Sequence, residues 1–131
     1  PCMKWKTALT VALGVYGFNH ILNFFDLYGS HPNIDIPMHL LGGFSIGLLG
    51  ISLYHIAVKK QKLPRWFYVL FVIGFVLLVG VLWEFHEWVL DHTIHTWKQT
   101  AFSQPSANDI VKDLLDDLIG AVVAFLFFHH R

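Results

Sequence analysis

Residues 66–82, WFYVLFVIGFVLLVGVL, carry no charged side chain and no proline, and no other feature narrows the fold of this chain as much. A hydrocarbon core of about 30 Å is crossed by roughly 20 helical residues at 1.5 Å each. With its flanks the run extends over about 65–91, enough for one crossing. Three further stretches have the length and apolar content for another: about 7–26, 35–58 and 109–130. None shows the alternation of a barrel strand. In lipid the backbone must satisfy its own polar groups within the segment, which selects helices. The expected class is all-α, a four-helix transmembrane bundle forming a single integral membrane domain over residues 1–131.

Composition agrees with that class. Apolar residues make up 55% of the chain and charged residues 14%, against roughly 25% charged in soluble domains. Nine basic and nine acidic residues give a formal net charge of zero, which speaks against a nucleic-acid partner. The expected partner is the lipid bilayer. Cys2 is the only cysteine, so neither an internal disulfide nor a cysteine zinc site can form. Pro1 and Cys2 are assigned no role. Residues 7–25 read as a span rather than a cleaved leader, because no small-residue cleavage site follows them.

Basic residues set the expected orientation. Lys4, Lys6, Lys59, Lys60, Lys62, Arg65 and Arg131 fall on one side of a four-span arrangement, and only Lys98 and Lys112 on the other. Both termini are therefore expected to be cytoplasmic, in an inner or plasma membrane. The nine acids sort oppositely. Asp26, Asp35, Glu84, Glu87, Asp91, Asp109, Asp113, Asp116 and Asp117 all lie toward the outer ends of their spans. Acids contribute little to topology, so this sorting calls for a different reason.

Helical spacing supplies one. Residues three, four and seven apart share a face. Asp35 and His39 open span two on one face. Glu84, Glu87 and Asp91 close span three, and Asp109, Asp113 and Asp117 open span four, with Asp116 beside them and Gly120 further in. His20 and Asn23 lie near the outer end of span one. An ionised Asp at mid-span costs about 2.5–3.5 kcal/mol on insertion scales, and like charges repel. A divalent cation, protonation with hydrogen bonding, or a hydrated cavity would relieve the cluster. The candidate metal ligands are Asp35, His39, Glu84, Glu87, Asp113, Asp117 and His20. Carboxylates alone favour Mg²⁺, Ca²⁺ or Mn²⁺, and a histidine shifts the choice toward Zn²⁺, Mn²⁺ or Fe²⁺. Glu-x-x-Glu replaces the Glu-x-x-His of carboxylate di-iron bundles. Asp91 reads as rim and His86 as pointing to another face. His92 and His95, in the long 92–108 loop, are placed to fold over the cluster. Ser106 or Asn108 caps span four. Trp5, Trp66, Trp83, Trp88 and Trp97 suit interfacial belts. Gly43, Gly47 and Gly50 suit close helix packing.

DIPMH (35–39), EFHE (84–87) and DLLDDLIGA (113–121) occur in that order on successive spans. The arrangement resembles the VanZ-like membrane proteins and the related YjdF-type inner-membrane proteins of bacteria, over about residues 35–124. The resemblance singles out Asp35, His39, Glu84, Glu87, Asp113, Asp117 and Gly120. Ile36, Glu87 and Asp117 depart from the VanZ-like pattern, which often has a basic residue, Gln and Asn there; on the last two the YjdF type is nearer. The resemblance implies a shared outward-facing polar site. VanZ-like proteins are linked to glycopeptide-antibiotic resistance, and neither family implies a settled reaction.

The leading functional expectation is a divalent-metal site open to the non-cytoplasmic face and acting on a lipid-linked or envelope small molecule. Glu87 or Asp117 would be the general base for a metal-activated water in a hydrolase-like reaction. An ion- or proton-coupled transporter is the alternative. FYVLFVIGFVLL and AVVAFLFF leave the inner half of spans three and four without a polar path, so transport would require a homo-oligomer. A structural subunit with the cluster as inter-helix glue is the third reading.

Overall fold

The computed structural model describes residues 4–58, 61, 63–95 and 106–128. Among these, all regular structure is helical. Helix α1 runs Trp5–Phe24, the short α2 Leu27–Ser30, α3 Asp35–Ala57, α4 Arg65–Leu90 and α5 Ala107–Phe128. The four long helices coincide with the four expected spans to within two residues at each end. Residues 129–131, 96–105 and the lysines at 59, 60 and 62 lie outside the described residues.

Local chemistry sets the ends. Asp26 adopts the left-handed conformation (φ 52°) that stops α1 and turns the chain into α2; a short, unbranched polar residue such as Asp enters that region more readily than most. A 3₁₀ turn, Pro32–Ile34, then leads into α3. Pro64 precedes α4 with extended backbone, where its missing N–H removes no helical bond. Of the two capping candidates on α5, Ser106 is the one used: its Oγ accepts from the Asp109 N–H at 3.3 Å. Asp109 itself sits in the first turn, where the helix dipole favours a negative charge. Helix α4 ends in a π turn, Asp91–His95.

Helix α3 is central and packs against α1, α4 and α5, while α4 also packs on α5. The α3–α5 contact is a seam of small residues. A Cβ built on Gly43 would collide with the backbone of Asp117, and one on Gly120 with the Leu40 carbonyl and the Phe44 N. One turn on, Gly47 faces Ala121 and Ala124, with a Cβ at 3.0 and 3.2 Å. The expected role of Gly43 and Gly47 is thus met. Gly50 instead gives room to the Phe75 ring on α4. Beyond this seam lies an apolar floor of Leu48, Ile51, Tyr54, Tyr68, Val72 and Ala124, with Tyr54 stacked on Tyr68 at 4.4 Å.

The outer surface is apolar too. Leu70, Leu78, Leu82 and Phe85 on α4, and Leu115, Val122, Leu126 and Phe127 on α5, are all more than half exposed. Water-facing proteins rarely carry so continuous an apolar face. Segments Asp35–Ala57 and Arg65–Ile94 are long and apolar enough to cross a membrane. By the same measure α1 and α5 are not; α5 holds Asp109, Lys112, Asp113, Asp116 and Asp117 in its first half.

Candidate functional site

At the end of the bundle opposite the aromatic floor, α3, α4 and α5 turn acidic side chains toward one another. His39 is the hub, 5% exposed. Its Nε2 lies 3.5 Å from Asp35 Oδ1 and 3.8 Å from Asp113 Oδ2, and its Nδ1 lies 3.4 Å from Asp117 Oδ1. Glu84, Glu87, Asp113 and Asp117 are all buried. The spacing of the sequence explains the convergence. Asp35 and His39 lie one turn apart on α3, and Asp113 and Asp117 one turn apart on α5. The glycine seam lets the two backbones approach closely enough for those pairs to meet. Gly80, one turn before Glu84, clears the space that the Asp117 carboxylate fills: a Cβ there would stand 2.8 Å from Asp117 Oδ2.

Two sets of ligand atoms are close enough to share one cation. One is Asp35, His39 and Asp113; the other is His39, Glu84 and Glu87. Within each set the atoms lie within 4.8 Å of one another. The sets differ in charge balance. Lys112 Nζ sits 2.8 Å from Asp35 Oδ2, 2.5 Å from Asp113 Oδ1 and 3.7 Å from Asp109 Oδ1. The first set therefore already has a resident cation. Glu87 is compensated only on one side: its Oε1 accepts from Trp83 Nε1 at 3.0 Å, and its buried Oε2 has no hydrogen-bond partner. A buried, unpartnered carboxylate oxygen is costly.

Six of the seven residues expected as ligands meet here. His20 is placed elsewhere. Its ring packs edge-on against Tyr16 at 4.4 Å and His86 at 5.5 Å, between α1 and α4. The inward polar residue of α1 is Asn19, 2% exposed, one position and about 100° away from His20. Tyr28 of α2 donates from its hydroxyl to Asn19 Oδ1. Burial, with the charges of Glu87 and Asp35 added, pushes the Tyr28 phenol well above its ordinary range, so it stays a donor. Asp91 is buried rather than an exposed rim residue. His92 does not cover the cluster; it lies on Trp88 at 4.3 Å and bonds the Trp88 carbonyl at 2.8 Å. The side chain of His95, and Trp97 and Lys98, lie outside the described residues. Trp83, expected in an interfacial belt, is turned inward onto Glu87.

The sequence reading also missed Lys112 as the counter-charge and Gly80 as the clearance for Asp117. Signals for both existed. Lys112 falls three residues after Asp109, and Gly80 lies on the Glu84 face at i−4.

Beside the cluster, a cavity of about 250 Å³ opens between α1, α3 and α4. Asn19, Tyr28, His39, Trp83 and Asp117 line its polar end, and Leu9, Leu13, Ile46, Leu49, Val76 and Val79 its deep end.

The family model described as "Predicted membrane protein (DUF2238)" matches residues 3–131. The chain belongs to that family. It is accordingly a helical membrane protein, associated with a lipid bilayer. No curated protein and no solved structure matches it.

Proposed function

We propose that the chain is a four-span integral membrane domain that binds one divalent cation through His39, Glu84 and Glu87. The observation that carries this reading is the Glu87 carboxylate: 3% exposed, one oxygen fixed by Trp83, the other without a partner, and set among His39 and Glu84. Lys112 already supplies one positive charge to Asp35 and Asp113, while among the described residues no lysine or arginine meets Glu87, which favours the α4 side of His39 for the cation. Either ring nitrogen of His39 can take it, because the other still faces a carboxylate, Asp117 at Nδ1 or Asp35 at Nε2. Such a carboxylate behind a ligating histidine fixes the ring and raises its basicity. One nitrogen and two carboxylates suit Zn²⁺, Mn²⁺ or Fe²⁺ better than Mg²⁺.

Bound there, the ion would lower the pKa of a coordinated water and polarise an ester or phosphoryl oxygen. Asp117 lines the cavity and lies beside His39, which suits it as the general base. Glu87, expected for that role as well, serves as a ligand. The apolar outer face of α4 and α5 supports four spans. The separation of Lys4, Lys6 and Arg65 from the acidic end supports a cytoplasmic N-terminus and a site facing outward. The order Asp35-x-x-x-His39, Glu84-x-x-Glu87, Asp113-x-x-x-Asp117-x-x-Gly120 suits kinship with the VanZ-like and YjdF-type proteins alike, and Glu87 and Asp117 favour the YjdF type.

Elemental analysis of the purified protein tests the metal. About one Zn, Mn or Fe per chain is expected in the wild type, and at least a tenfold loss of affinity in Glu87→Gln and Glu84→Gln. Folded wild-type protein that takes up none of these ions refutes the reading. The orientation is tested separately by a tag after Arg131, which should be reachable only from the cytoplasmic side.

A further inference from the structure

The cavity between α1, α3 and α4 has an almost wholly apolar wall, bordered by polar side chains only at its end beside the cluster, and its length matches a known dimension. On α1 its lining runs from Asn19 to Leu9 and on α3 from Met38 to Leu49. At 1.5 Å per residue each stretch is about 15 Å long. Half of a hydrocarbon core of about 30 Å is also about 15 Å. The polar end coincides with the acidic end of the bundle, so the slot spans one leaflet and stops near the bilayer centre.

The slot has its weakest wall between α1 and α4. These helices scarcely meet backbone to backbone: α1 packs on α3, and α4 packs on α3 and α5. Rings bridge them at the polar end: Tyr16 meets Trp83 at 5.6 Å, and His20 meets His86 at 5.5 Å. Below those rings the lining is aliphatic, and Leu13 on its lip is 60% exposed. At the polar end, the Nδ2 of Asn19 is buried with no hydrogen-bond partner, while its Oδ1 is held by Tyr28.

From these features we infer that the slot admits one acyl chain of a glycerophospholipid, sideways from the leaflet on the acidic side, with the ester carbonyl accepting from Asn19. The inference rests on the cation site above for the headgroup, since Asp117 and Glu87 would repel a bare phosphate and an ion would bridge it. A chain leaving lipid for an apolar slot gains little hydrophobic energy, because the tails are as apolar as the protein wall. Selection therefore falls to the polar end. A polyprenyl chain much longer than one leaflet does not fit a slot that ends at Leu9 and Leu49.

Photo-crosslinking tests this on the full chain in vesicles of phosphatidylethanolamine and phosphatidylglycerol, with some phosphatidylglycerol carrying a mid-chain diazirine. Adducts are expected at Ile46 and Leu49, which line the slot and are half-buried. Asn19→Leu should lower that labelling several-fold, and Val79→Trp, which fills the slot, should abolish it. Adducts confined to outward residues such as Leu78, Leu82 and Phe127 overturn the inference. If Val79→Trp does not fold, the wild-type adduct map alone decides. Metal analysis of the same wild-type sample separates the two proposals. Slot labelling in a protein that binds no ion keeps the chain site and removes the ion. Bound ion with only outward labelling does the reverse.

Discussion

A single methyl group on Gly120 should be among the most damaging small changes to this protein. The Cβ of Gly120→Ala would face the Phe44 N at 2.7 Å and the Leu40 carbonyl closer still. Ordinary van der Waals contact begins at 3.4 Å, so α3 would have to retreat from α5 by about 1 Å at the Leu40 carbonyl, the tighter of the two contacts. Both obstacles are backbone atoms inside a helix, and no rotamer change moves them. Overpacking usually costs about 1–3 kcal/mol; with rigid obstacles the top of that range, about 3 kcal/mol, is expected. The retreat would also pull Asp113 and Asp117 away from His39, which joins fold to site. Gly14→Ala is the control. Nothing lies within 4 Å of a Cβ there, and alanine is the better helix former by about 1 kcal/mol. Equilibrium unfolding in mixed micelles, followed by the helical circular dichroism signal, compares the two. If Gly120→Ala proves within about 0.5 kcal/mol of Gly14→Ala, the close α3–α5 seam is wrong.

Three other outcomes follow from the same geometry. Lys112→Met should destabilise by about 1–3 kcal/mol in the same assay by leaving Asp35 and Asp113 without their counter-charge, and adding Asp113→Asn should restore part of the loss. Gly80→Ala should be milder than Gly120→Ala, because it meets the movable ends of Asp117 and Leu114, yet it should weaken ion binding by displacing Asp117, which titration with Mn²⁺ would register. Tyr28 keeps its proton in the fold to well above the ordinary value of 10.0; its stabilising share is complete below pH 10 and is lost as pH rises further, since the unfolded chain ionises first. Comparing unfolding of wild type and Tyr28→Phe between pH 8 and pH 11 checks this: the difference should shrink on the alkaline side.

Much of this was legible because two simple periodicities carry it. Apolar runs of span length placed all four long helices, and i, i+4 spacing put Asp35 with His39 and Asp113 with Asp117 before any contact was known. What escaped the sequence depends on distant contacts or on local backbone. Asp26 turns left-handed and brings Tyr28 back over Asn19, in a stretch that reads only as a turn. The choice between Asn19 and His20 as the inward residue of α1 is a rotation of one position, which a span with apolar residues all round does not define. Lys112 reaches Asp35 across 77 residues, so its role appears only once α3 and α5 lie together. The slot lies where α1 and α4 meet through few contacts, which no periodicity encodes.

The central question is which side of His39 carries the cation. Crystals or particles of the full chain prepared with Mn²⁺ or Zn²⁺, and read by anomalous scattering or cation density, address it directly. A single peak among His39, Glu84 and Glu87 is expected, with Lys112 still bound to Asp35 and Asp113. A peak among Asp35, His39 and Asp113 with Lys112 displaced, or no peak in well-ordered density, would contradict it.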